Sequence, residues 1–154
     1  MKILISGVVV RPLRQIADER GRILHMLRCD DPWFSKFGEI YFSVVNPGFV
    51  KGWHLHKIMM LNYAVVAGEI LLALYDGRAD STTHGEIQEI PLGRDSYNLV
   101  TVPPGVWNGF KGLGSTPAIV ANCATEPHDP LEIERLDPFK NHIPYSWGSV
   151  LGGG

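Results

Sequence analysis

Apolar positions in this chain come in short runs rather than long stripes. Ten of them, at residues 3–10, 22–28, 39–45, 50–56, 60–67, 69–75, 85–91, 98–102, 105–112 and 118–124, are rich in Val, Ile, Leu and aromatic residues and are separated by Gly, Pro, Asn and Asp. Such runs predict strands, whose side chains alternate faces with a period of two, and the intervening residues predict turns. Asn46-Pro47-Gly48, Asp76-Gly77 and Pro103-Pro104-Gly105 are the clearest turns, because proline presets φ and glycine accepts positive φ. Helical periodicity is nearly absent, with one or two helical turns expected at most over residues 130–135. The pattern predicts an all-β barrel or jelly roll. It occupies one domain over residues 1–148, followed by a flexible tail at 149–154 that closes in three glycines.

Composition narrows the class. With 154 residues and 45% hydrophobic content the chain is long enough to bury a sizeable core. A formal net charge of -2 gives no general attraction to polyanions, so nucleic acid is excluded as the expected partner. Residues 1–10 are apolar but short and lack a small-residue cleavage pattern, so they read as a first strand rather than a signal peptide. No apolar run approaches the roughly 18 residues of a membrane span. Cys29 and Cys123 form neither a CxxC pair nor a disulfide framework, which points to a reducing, cytoplasmic compartment.

The chemistry concentrates in Lys51-Gly52-Trp53-His54-Leu55-His56. In a regular strand His54 and His56 point to one side, where they offer a proton-transfer base or half a metal site. A complete single-ion site of this kind adds a glutamate three or four residues on and a histidine after the Pro-x-Gly turn. Here those places hold Met60 or Leu61 and Asn108, so no metal is assigned. As a base, His54 needs a neighbouring donor to stabilise an enolate, and Lys51 or a tyrosine can supply one.

Six motifs in order carry a family resemblance: Asp18-Glu19-Arg20-Gly21; Lys51-Gly52-Trp53-His54; Gly68-Glu69-Ile70; Asp76-Gly77-Arg78-Ala79-Asp80-Ser81; Pro104-Gly105-Val106-Trp107-Asn108-Gly109-Phe110; and Asp137-Pro138 with Trp147. Over nearly the whole chain this resembles the dTDP-4-dehydrorhamnose 3,5-epimerase family. The resemblance implies a cupin jelly roll, a homodimer, no metal or organic cofactor, and a nucleotide-sugar substrate whose protons beside the C4 ketone are removed and returned to the opposite face. It implies that His54 is the catalytic base, that Lys51 replaces the arginine of the family's Arg-Gly-Leu-His motif, and that Arg20 contacts the nucleotide diphosphate. His56 becomes a pocket residue. Asp76 and Arg78 match the family's Asp-x-Arg, which an ion pair closing a turn would explain.

The departures are specific. Asn108 stands where the family has a substrate-facing histidine, Leu61 where it has a lysine, and Ala121-Asn122 where a tyrosine acts as general acid just before Cys123. The aspartate that orients the catalytic histidine has no counterpart, so the imidazole lacks the group that would fix its tautomer. If Asn46-Gly48 makes a hairpin, Glu39, Tyr41 and Ser43 share the face that meets substrate. Tyr41 or Tyr63 then supplies the missing acid, or both rings simply fill the barrel; Glu39 is placed to pair with a histidine. Substrate-binding residues are thus expected at Arg20, Lys51, His56, Asn108, Tyr41 and Glu39. Epimerisation at C3 and/or C5 is the leading expectation. A nucleotide-sugar-binding cupin without turnover and a metal-dependent cupin using His54 and His56 are the alternatives.

Overall fold

The computed structural model describes all residues from 1 to 154 and holds strands and turns but no helix. In chain order the strands are β1 (Val9–Pro12), β2 (Gln15–Asp18), β3 (Gly21–Leu24), β4 (Glu39–Val45), β5 (Phe49–His56), β6 (Leu61–Ala67), β7 (Glu69–Asp76), β8 (Ile87–Leu92), β9 (Asn98–Val102), β10 (Val106–Leu113), β11 (Ala118–Ala124), β12 (Ile133–Arg135) and β13 (Gly152–Gly153). One sheet runs β1-β9-β6-β11-β4 and the facing sheet runs β12-β5-β10-β7-β8. The all-β jelly-roll expectation holds, as a sandwich whose sheets pack face to face without closing into a barrel.

Between the sheets lies a core of 19 buried residues, including Leu61, Tyr63 and Val65 from one sheet and Ile70, Leu72, Leu74 and Phe110 from the other. Burying several such side chains at roughly 1.5–3 kcal/mol each is the main force holding the sheets together. A second cluster lies on the outer face of the six-stranded sheet, where Ile143 and Trp147 cover Trp53, Ala73 and Trp107. The segment that follows β12 therefore acts as a third, partial layer over that outer face.

Four expectations need correction. Residues 3–8 are not strand: Gly7 turns with φ 89°, and the run is apolar because Ile5 and Val8 plug the core. The run at 22–28 pairs only over β3, in a small hairpin with the unpredicted β2, whose four residues Gln15-Ile16-Ala17-Asp18 are too short to show a strand pattern. Residues 130–135 form no helix; β12 instead pairs antiparallel with β5. The tail is not free, because Gly152 and Gly153 pair in parallel with Phe49 and Val50, where the lack of side chains permits close approach.

Candidate active site

A cavity of about 260 Å³ opens between the two sheets, and Tyr41, Ser43, Lys51, His54, Tyr63 and Arg135 are in its wall. Strand register explains the grouping. Asn122 on β11 lies directly opposite Tyr41 on β4 and Tyr63 on β6, making one row across the five-stranded sheet. On the other sheet Asn108 of β10 and Arg135 of β12 lie directly opposite His54 of β5. The two rows meet across the cavity.

A bulge sets the direction of the two β5 side chains. Asn108 pairs with His54 and Phe110 with Lys51, so Gly52 and Trp53 together oppose Gly109 alone. Strict alternation would send Lys51 and His54 to opposite faces. The extra residue brings both to the cavity and leaves Trp53 in the outer aromatic cluster. Glycine is required here: a Cβ on Gly52 would stand 2.8 Å from the Gly109 Cα.

The expected hairpin between β4 and β5 does not form. The turn at residues 46–48 carries the chain from one sheet to the other, so Tyr41 and Ser43 face Lys51 and His54 across the cavity rather than along a ladder. Lys51 Nζ donates to Ser43 Oγ at 3.0 Å and ties the sheets together at the cavity wall.

Lys51 and Arg135 bring two cationic side chains to the wall, which holds no Asp or Glu side chain. Burial first, then the positive charges of Arg135, His56 and Lys51, push the His54 imidazole down from 6.5 to about 4. At neutral pH it is therefore an unprotonated base. Burial raises the Tyr41 phenol, with a hydrogen bond from Asn122 opposing it, while burial raises the Tyr63 phenol well above 10.

The remaining sequence candidates lie in different places. Asn108 is 1% exposed; its Oδ1 accepts from Tyr63 at 2.7 Å and its Nδ2 donates to the His54 carbonyl at 3.1 Å. His56 lies outside the cavity wall, its Nδ1 bonded to the buried Glu132, which also accepts from the Ile58 and Met59 amides at 3.1 Å each. Burial of Glu132 is outweighed by those donors, so its carboxyl is lowered. No cluster of three or more His, Cys, Asp or Glu side chains gathers around His54 and His56. Glu39 is not in the wall. Arg20 sits at the β2–β3 turn with an 84% exposed side chain, paired with Asp18 at 2.6 Å, and does not reach the cavity within one chain. Asp76 is buried and accepts from Arg78, Ser81 and Thr83, so it closes its own turn.

Arg135, Asn122 and Glu132 escaped the sequence reading. Arg135 lies 81 positions from His54 in a three-residue strand, too short to show alternation. The motif before Cys123 marks Asn122 by the phenol it lacks and gives no sign of the amide it supplies.

Fold and cavity together define a class: a small jelly-roll protein with a cavity between its sheets whose wall carries two cationic side chains. The model of one family, dTDP-4-dehydrorhamnose 3,5-epimerase, matches residues 2–152, and the chain belongs to that family. It is 33% identical over 148 residues to the probable low-salt glycan biosynthesis epimerase Agl13 of Haloferax volcanii, covering 92% of this chain and 88% of that one. It is 32% identical over 142 residues to the spore coat polysaccharide biosynthesis protein SpsL of Bacillus subtilis, covering 92% and 91%. A dTDP sugar isomerase from Desulfovibrio desulfuricans G20 superposes with a TM-score of 0.93 at 48% identity, covering 96% of this chain and 94% of that one.

Proposed function

We propose that this protein epimerises a dTDP-4-keto-6-deoxyhexose at C3 and/or C5, in the synthesis of a surface polysaccharide or other glycan. The observation that carries the reading is a neutral imidazole, His54, facing a cavity with Lys51 and Arg135 and no Asp or Glu in its wall. A carbon beside a ketone loses its proton when a base lies within reach and a cation meets the charge developing on oxygen. His54 takes the proton, and Lys51 and Arg135 meet the enolate oxygen and the diphosphate. A bound diphosphate also offsets the two cations, which strengthens His54 as a base once substrate is present. The reaction draws on no metal or organic cofactor. Asn108 acts from behind Tyr63, whereas Arg20, His56 and Glu39 stand outside the cavity of one chain.

We further propose a cytoplasmic homodimer. Support comes from β4, an edge strand whose outer face exposes Ile40, Phe42 and Val44, and from two free cysteines. Light scattering of the wild type and of Phe42→Glu tests the dimer: an unaltered mass in the variant places the interface elsewhere.

Incubation with dTDP-4-keto-6-deoxyglucose in D2O tests the activity. Deuterium entering C3 or C5 is the expected result; no exchange at either carbon while dTDP binds would leave a binding protein without turnover. That second reading is favoured by one feature, the lack of any hydrogen bond orienting the His54 ring.

A further inference from the structure

Epimerisation needs a proton returned from the face opposite the base, and two phenols stand in the cavity wall beside one amide. Their hydrogen-bond polarity separates them. The Asn108 amide is oriented by the His54 carbonyl, which can only accept, so Nδ2 points there and Oδ1 is left for Tyr63. Tyr63 must therefore donate, and its proton is committed in a buried bond. The Asn122 amide is oriented the other way, by the Asn62 N–H, which donates to Oδ1 at 3.1 Å. Nδ2 of Asn122 then donates to the Tyr41 hydroxyl at 2.9 Å. The Tyr41 oxygen is an acceptor in that bond, so its own proton is free, and the residue is 41% exposed where it borders the cavity.

We propose that Tyr41 is the proton donor that completes inversion, delivering its hydroxyl proton from the β4 side to a carbon that His54 has deprotonated from the β5 side. This rests on the epimerase reading above. Asn122, at the position where the family resemblance expects the acid itself, is a positioning residue: its amide holds the neighbouring phenol and stabilises the phenolate. Burial keeps Tyr41 protonated until the carbanion forms.

The step balances. The C–H bond breaks, its proton goes to the His54 imidazole, and its electron pair moves onto the ketone oxygen as an enolate. The Tyr41 O–H bond then breaks, its proton bonds to the carbon on the opposite face, and the enolate electrons restore the ketone. The phenolate takes a proton from solvent and the imidazolium releases one.

The test is the ratio of exchange to inversion with dTDP-4-keto-6-deoxyglucose in D2O, for wild type, Tyr41→Phe, Tyr63→Phe and Asn122→Asp. In Tyr41→Phe, deuterium still enters unepimerised substrate at a rate within about tenfold of wild type, while epimer formation falls on the order of 100-fold or more. Asn122→Asp shows the same split, because a carboxylate accepts the phenol proton, and it decides the matter if Tyr41→Phe fails to fold. In Tyr63→Phe exchange and inversion change by the same factor, with no split between them, because the phenol proton that is lost is committed to Asn108. Inversion unchanged in Tyr41→Phe, or exchange lost together with inversion, overturns the role of Tyr41 alone. No exchange in the wild type with dTDP bound removes the epimerase reading and this role with it.

Discussion

The depressed titration of His54 makes the sharpest physical prediction. The distance from 6.5 to about 4 is 2.5 pH units, which at ~1.36 kcal/mol per unit disfavours the folded imidazolium by about 3 kcal/mol. Burial is the largest cause and Arg135 the next, so Arg135→Met leaves most of the effect and raises the midpoint by roughly one pH unit. The ring proton signals of His54 followed by NMR against pH report this directly, with His54→Gln assigning the resonance. Stability carries the same information. The unfolded chain binds a proton on this ring near 6.5 and the folded chain only near 4, so the contribution is fully present above the unfolded value and is lost as pH falls toward 4. In urea unfolding, the stability of wild type relative to His54→Gln falls between about pH 7 and pH 4 by at most about 3 kcal/mol, less where water reaches the half-buried ring. A wild-type midpoint at or above 6.5, or a stability difference that does not change with pH, refutes the reasoning.

Glu132→Ala strips the His56 ring and the Ile58 and Met59 amides of their buried acceptor and is expected to cost about 3 kcal/mol, read as a lowered urea midpoint. Asp76→Ala leaves the Arg78 guanidinium and the Ser81 and Thr83 hydroxyls without their shared carboxylate. A loss of roughly 2–4 kcal/mol in chemical denaturation is expected, with dTDP affinity per folded molecule unchanged. Gly52→Ala puts a Cβ 2.8 Å from the Gly109 Cα and forces β5 from β10, so its melting temperature drops by several degrees and substrate-dependent exchange is lost. A Gly52→Ala protein with native exchange would show that the bulge does not aim Lys51 and His54.

How much of the site was legible varies residue by residue. His54 stood out because a motif of fixed local spacing surrounds it, and Tyr41 because it alternates in step with Ser43 on a regular strand. A hairpin at residues 46–48 would bring Tyr41 and Ser43 beside β5 in one sheet, whereas β4 and β5 face one another from different sheets. Lys51 was placed beside His54 by motif, against the alternation that argues for the opposite face; the bulge resolves that conflict. Arg20, singled out by its own motif, lies in an exposed hairpin away from the cavity.

Alternation, turn chemistry and the absence of helical periodicity are properties of a few neighbouring residues, so they already specified an all-β jelly roll and most of its strands. Which strands share a sheet, where β5 bulges, and that Arg135 arrives opposite His54 depend on pairing between distant segments, whose registers are selected by burying one common core. The same holds for polarity: whether Tyr41 or Tyr63 keeps a free proton is decided by the Asn62 amide and the His54 carbonyl, backbone groups whose positions exist only once the two sheets have formed. A donor's direction is a relation between strands, and no local pattern encodes it.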